Sequence, residues 1–370
     1  MWTLLRVGCH GVLIPRNAGD VQRQMLRMER PPLQEGRPVL AVTSEARASF
    51  LELFGRWLAS IGFSLEDLLQ HHIQYIAEIN ELLVKYGRNL YAVGRPYNHF
   101  AETINAVAAK KPAIRRQLQE AWNFAFAWVR EEPSTHHIAL PWQILLAALS
   151  VSLLWGWLDM AGMLALTWGA LLRVGEFTQA VRSDLLLPVD TNFTNSFALL
   201  ALKEPKTRFT AARHQSAKLD IPDLLKIVHL AFSRMKPFQK LWPKSGQTLR
   251  VRFRQILLEL GIGPNTKLNG KGLDLGSLRP GGAAWMIQQC EDPTFTRRRG
   301  RWVNEKTMEI YIQEISCFQF LTVLSDSARA KVYTLCEVFP WFSLQAEQLW
   351  QANVPANVWY QVLPRQVTRD

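Results

Sequence analysis

Cysteine is scarce in this chain. Only Cys9, Cys290, Cys317 and Cys336 occur among 370 residues, and none forms a CxxC pair or a series with zinc-ligand spacing. That count leaves no basis for a disulfide scaffold or a zinc module. Also missing are a Walker-type lysine loop, an HExxH pair and carboxylates clustered at two-metal spacing. The expectation is therefore a chain with no metal, no nucleotide cofactor and no other cofactor. The first twenty residues lack a secretory pattern, because their apolar run is short and broken by Arg6. The expected location is intracellular, and nuclear if the source is eukaryotic.

Charge is absent from one long stretch. Pro133 to Leu158 contains no Asp, Glu, Lys or Arg, and the apolar character continues to Leu172. Length alone would allow a membrane helix. Pro141 and Gln143 near its start, Asp159, and the glycines at 156, 162 and 169 argue against one. The pattern predicts two buried helices, about 141–157 and 158–170, and no membrane partner.

What is present is a large supply of core side chains and a positive balance. Hydrophobic residues make up 48% of the chain, with 14 Trp and 18 Phe, and the formal net charge is +12. A basic folded protein favours a polyanionic partner. Residues 1–43 read as an N-terminal arm ending in a Pro-rich linker. Residues 44–133 read as a helical domain. Ser44 is placed as a cap, and helices are predicted to follow over about 64–86, 98–110 and 112–130. The polar segment from Arg130 to His137 marks a boundary. Residues 138–318 read as a second domain, in which short strands near 182–188, 196–202 and 214–221 interrupt helices. Further helices are predicted at 223–235, 249–260, 279–290 and 303–315. The predicted fold class is mainly α with a small antiparallel sheet (α+β).

Four pieces of the second domain carry the candidate chemistry. They are Leu171-Leu172-Arg173-Val174-Gly175-Glu176; the basic loop Lys203-Glu204-Pro205-Lys206; Leu278-Arg279-Pro280-Gly281-Gly282-Ala283-Ala284; and Gly300-Arg301-Trp302, with Tyr311 nine residues after the Trp. In this order they resemble the tyrosine recombinase, or phage-integrase, family. The final spacing and the Trp resemble the branch that includes Cre recombinase. The glycine-alanine and arginine runs resemble recombinases of eukaryotic mobile elements.

The resemblance implies a helical core-binding domain followed by a catalytic domain, together clamping duplex DNA in a homo-oligomer assembled on the DNA. It implies strand cleavage and religation through a 3′-phosphotyrosyl link on Tyr311, used for site-specific recombination or integration. Arg173 and Arg279 would hold the non-bridging phosphate oxygens, a task that suits the planar guanidinium fork. Lys206, with Lys203 as its rival, would protonate the leaving oxygen. Trp302 would donate its indole N–H to the phosphate. Glu176 would orient a basic neighbour. Arg297, Arg298, Arg299 and Arg301 would contact the DNA backbone, giving affinity and salt dependence without sequence preference. Taken singly, each residue also has an ordinary reading: a surface ion pair, a solvated loop lysine, a core tryptophan, a half-buried packing tyrosine.

One position departs from the pattern. Three residues before the second arginine the family carries His or Lys, and here Gly276 stands. The last histidine in the chain is His229, so none lies near Arg279 in sequence. Two rival readings therefore stay open: a catalytically degenerate DNA-binding protein of the same fold, and a topoisomerase of type IB chemistry. Residues 319–370 form a tail rich in tryptophan. It either docks into a neighbouring protomer or closes the core of its own.

Overall fold

The computed structural model describes residues 17–28, 39, 41–133, 136–191, 196–203 and 215–367. The chain divides into two compact units between Ser134 and Thr135. Among the described residues no helix is long and apolar enough to cross a membrane.

The first unit is helical: α1 (Ala18–Met28), α2 (Ala41–Ser60), α3 (Leu65–Gln70), α4 (Ile76–Ala92), α5 (Tyr97–Lys110) and α6 (Gln119–Glu131), with a 3-10 turn at Pro112–Gln117. Its core collects Phe54, Leu58, Leu83, Phe100, Ile104 and Trp128. Ser44 falls inside α2 rather than capping it. The span predicted as one helix over 64–86 is two helices, and Ser64 caps the first by accepting from the Asp67 N–H.

The second unit begins with α7 (Trp142–Leu154) and α8 (Leu158–Gly169), the two charge-poor helices. Most of their residues are buried, which is why their sequences show no polar face. Next come α9 (Val174–Gln179), β1 (Leu185–Leu186), α10 (Pro188–Thr191), β2 (Ala198–Leu202) and β3 (Gln215–Leu219). The strands form one antiparallel sheet in the order β1-β2-β3, with Leu202 opposite Gln215 at the hairpin end. Lys206 belongs to the connection beyond Leu202 and lies outside the described residues. The chain continues through α11 (Pro222–Phe232), α12 (Gly246–Glu259), α13 (Leu278–Cys290), α14 (Pro293–Gly300), α15 (Glu305–Glu309) and α16 (Glu314–Thr322).

The tail is part of this core. Helices α17 (Asp326–Glu337), α18 (Phe339–Gln351) and α19 (Trp359–Val367) place Val332, Phe339, Phe342, Ala346, Trp359 and Leu363 in the same cluster as α7 and α8. Polar contacts tie it down as well. Lys226 pairs with Glu347 at 2.5 Å, and the Arg234 guanidinium lies 3.5 Å from the centre of the Trp350 ring. Of the two expectations for residues 319–370, closure of the core in cis is what the fold shows.

Candidate active site

Two left-handed turns set up the site. The turn after helix α8 is left-handed at Leu171, with φ 51°, and the Leu172 N–H reaches back to the Thr167 carbonyl at 2.9 Å. The turn after helix α14 is left-handed at Arg301, with φ 58°, and the Trp302 N–H reaches back to the Arg297 carbonyl at 3.1 Å. Glycine usually takes this position because a Cβ is disfavoured there. The non-glycine residues are held by what their turns place inside. The first turn delivers Arg173, and the second folds the Trp302 ring over Gly300, where a Cβ would collide with it at 1.7 Å.

Arg301 links the two turns. Its guanidinium donates to the carbonyls of Ala170 (3.3 Å) and Leu171 (3.1 Å) and to the Glu176 carboxylate (2.9 Å). It satisfies carbonyls that the end of α8 would otherwise leave open. The resemblance places Arg301 among the DNA-contacting arginines. In the structure its side chain is only 7% exposed, and both terminal nitrogens donate to protein oxygens, while Nε is buried without a partner among the described residues.

Glu176 is the hub. One oxygen accepts from the Arg173 backbone N–H at 2.8 Å and from Arg301, and the other accepts from the Arg173 guanidinium at 2.8 Å. Burial raises its pKa. Arg301, the Arg173 N–H, Arg279 and the Arg173 side chain outweigh burial and hold the carboxyl below its ordinary range. The expectation that Glu176 orients a basic neighbour thus has a geometric counterpart in two of them.

Arg279 stands in the first turn of α13 and is buried. One terminal nitrogen donates to the Gly300 carbonyl at 2.5 Å. Its Nε and other terminal nitrogen are buried without a hydrogen-bond partner among the described residues. The guanidinium lies 4.9 Å from the centre of the Trp302 ring and 5.3 Å from that of Tyr311, and those two rings are 5.1 Å apart. Burial first, then the charges of Arg173 and Arg301, draw the Arg279 pKa down, while Glu176 and Tyr311 pull it up. Arginine nonetheless stays protonated at working pH. Three guanidiniums therefore share one carboxylate, and positive charge is left unmatched. The Trp302 indole nitrogen is likewise buried and unpartnered. Unmade hydrogen bonds of this kind cost about 1–3 kcal/mol each, so the site is poised for an anionic acceptor.

Tyr311 is not on the helix predicted over 303–315. That helix is interrupted: α15 ends at Glu309, α16 begins at Glu314, and Tyr311 sits in the turn between them. Its N–H bonds the Met308 carbonyl at 2.7 Å, and its ring packs against the small cluster of Leu171, Ala283, Met286, Trp302 and Met308.

The remaining candidates are spread around this centre. Lys203 is paired with Asp184 at 2.7 Å, and the Asp184 side chain is only 8% exposed. Arg299 pairs with Asp220, Arg297 donates to the Val303 carbonyl at 3.4 Å, and Arg298 is exposed. Gly276 lies in a 3-10 turn just before α13. His137 packs on it, and the one sign of that in the sequence is a His-His pair in a polar linker, 137 positions before Asp274, its hydrogen-bond partner.

No protein-family model and no curated relative matches the chain. Among solved structures, the chain is similar to XerA recombinase at 15% identity and a TM-score of 0.37, covering 78% of this chain and 98% of that one. It is similar to a lambda integrase dimer bound to a COC′ core site at 15% identity and a TM-score of 0.37, covering 82% and 89%. It is similar to XerH site-specific recombinase bound to its difH substrate at 14% identity and a TM-score of 0.35, covering 76% and 95%.

Proposed function

We propose that this chain binds duplex DNA and cleaves and rejoins one strand through a phosphotyrosyl link on Tyr311. The observation that carries the reading is the meeting of Arg173, Arg279 and Tyr311 around unmatched positive charge. Residues from separate segments meet there, and donors of Arg279 and Trp302 are left without an acceptor among the described residues.

The chemistry follows from the groups. A DNA phosphodiester enters with its non-bridging oxygens toward Arg173 and the free donors of Arg279. The Trp302 N–H is a further donor. The Tyr311 oxygen attacks phosphorus, the bond to the 5′-oxygen breaks, and the tyrosine holds the 3′-phosphate. Charge builds on the equatorial oxygens during attack, where fixed guanidiniums stabilise it without reorganising. The bond energy is kept in the phosphotyrosine, so a 5′-hydroxyl reverses the step. Lys206 protonates the leaving oxygen in this reading. The buried Asp184 carboxylate that holds Lys203 favours Lys206 over Lys203 for the task. Use in recombination or integration, and a homo-oligomer assembled on the DNA, belong to the same proposal. So does a core-binding role for the helical unit ahead of residue 134.

A nicked suicide duplex tests it. The parent protein is expected to form a covalent protein–DNA product, and Tyr311→Phe to form none. A parent that binds the duplex in low salt yet never becomes attached would sink the cleavage reading and leave DNA binding alone.

A further inference from the structure

Phe238 is 76% exposed, the most exposed aromatic side chain among the described residues. It does not sit on a loose loop. Pro237 and Phe238 are the central positions of a turn closed by the Gln239 N–H, which donates to the Lys236 carbonyl at 3.0 Å. The Gln239 side chain closes it a second time, accepting from the Lys236 N–H at 2.7 Å. Pro237 suits its position because its φ is already fixed near the value that a turn requires there. The turn is then fastened to the segment that leaves α9. The Arg182 N–H donates to the Gln239 carbonyl and the Ser183 N–H to the Pro237 carbonyl, both at 2.8 Å, and the Leu241 N–H donates to the Ala180 carbonyl at 3.0 Å. These bonds hold an apolar ring out in solvent at a fixed place on the second unit.

Charge of one sign surrounds the ring. From Leu224 to Leu258 the chain contains no Asp or Glu. Several cations of that stretch are committed within the fold: Lys244 and Arg252 pair with Asp159, and Arg234 stacks on Trp350. Lys236 and Lys240, on either side of Phe238, are exposed, and neither has an ion-pair partner among the described residues. An aromatic ring between two uncommitted ammonium groups suits a partner that offers an apolar face flanked by anions. The span of the turn narrows the choice. The ends of a hydrogen-bonded turn lie less than about 7 Å apart. The minor groove of duplex DNA is about 6 Å wide, with a phosphate backbone along each rim. A lysine on each side of the ring can therefore meet one rim each while the ring enters between them. Phenylalanine wedges of this kind enter base steps from the minor groove and partly unstack them. A lipid surface fits less well, because stable anchoring takes more apolar area than one ring supplies.

We propose that the Lys236–Lys240 turn is a DNA contact separate from the arginine site, with Lys236 and Lys240 on the two phosphate rims of a minor groove and Phe238 wedged at a base step between them. The inference rests on duplex binding by the chain and not on cleavage at Tyr311.

Duplex binding by the full chain in a Tyr311→Phe background separates the two parts of the contact. Lys236→Gln combined with Lys240→Gln is expected to make the slope of log affinity against log salt shallower by about 1.8, since two phosphate contacts are lost at about 0.9 each. Phe238→Ala is expected to keep the slope and to weaken binding about fivefold to a hundredfold. A duplex carrying 2-aminopurine is expected to brighten on binding the parent and Phe238→Leu, and to stay quenched with Phe238→Ala. All these side chains are exposed, so the variants are expected to unfold at the parent's temperature. The proposal is overturned if Phe238→Ala and the double lysine variant bind duplex with the parent's affinity and salt slope. It is equally overturned if Phe238→Ala leaves duplex binding intact and instead abolishes binding to phosphatidylserine vesicles or dissociates a DNA-free dimer. A parent that binds no duplex removes this contact and the proposed function together. A parent that loses affinity with Phe238→Ala, yet never becomes attached to a nicked duplex through Tyr311, keeps this contact and loses the cleavage reading alone.

Discussion

Glu176 is the residue on which the site's charge depends. Its side chain is 9% exposed and faces three guanidiniums, so removing its charge leaves them with no carboxylate among the described residues. Breaking a buried ion pair from one side costs about 3–5 kcal/mol. Glu176→Gln is expected to lose about that much stability at pH 7, read by urea denaturation. Because the folded carboxyl is held below its ordinary value of 4.5, its contribution is complete above that value. It fades as pH falls through the folded pKa. The gap between parent and Glu176→Gln should therefore narrow in acid. A gap that stays constant through the whole acid range in which the parent remains folded would mean that the loss is steric. The resemblance already pointed to Glu176 as the residue that orients a basic neighbour, but its pairing with Arg301 was not legible in the sequence. Arg301 sits in an arginine run that reads as one basic patch, and only the left-handed turn sends this member inward.

At the scale of elements, α13 shows why its sequence reads Arg-Pro-Gly-Gly-Ala-Ala. A Cβ on Gly281 would lie 2.3 Å from the Leu140 carbonyl oxygen, and one on Gly282 would lie 2.1 Å from the Trp168 carbonyl oxygen. The helix therefore lies directly on backbone, and that approach seats Arg279. Gly282→Ala is expected to destabilise the second unit by about 1–3 kcal/mol or more, because backbone cannot step aside as a flexible side chain can. Thermal unfolding measures it, and an unchanged midpoint would show that α13 is not clamped there. Thiols make a second test. Burial pushes the Cys317 thiol up to about 12, whereas Cys290 is exposed. In the native protein a maleimide is expected to label Cys290 and spare Cys317 until the fold is opened.

For the whole molecule, the last three helices complete the core. Trp359 is 1% exposed, and its indole donates to the Val354 carbonyl at 3.0 Å. Trp359→Ala is expected to cost about 3–5 kcal/mol, an effect that a tail packed only on a neighbour would not show at low concentration. The net charge of +12 belongs to this scale too. Duplex affinity is expected to fall steeply and log-linearly with salt, with a slope of about −0.9 per phosphate contacted. A salt-independent affinity would rule out the phosphate backbone as the ligand.

Local patterns in the chain determined the helices, the fold class and the two charge-poor core helices, because periodicity and the absence of charge are read residue by residue. The break around Tyr311 and the cis docking of the tail were decided by packing over long sequence distances. So was the identity of the side chain that fills the gap at Gly276. No window of sequence could show that His137 lies against Gly276, because the hydrogen bonds of Leu140 to Trp168 of α8 and to Ser277, just before α13, bring it there.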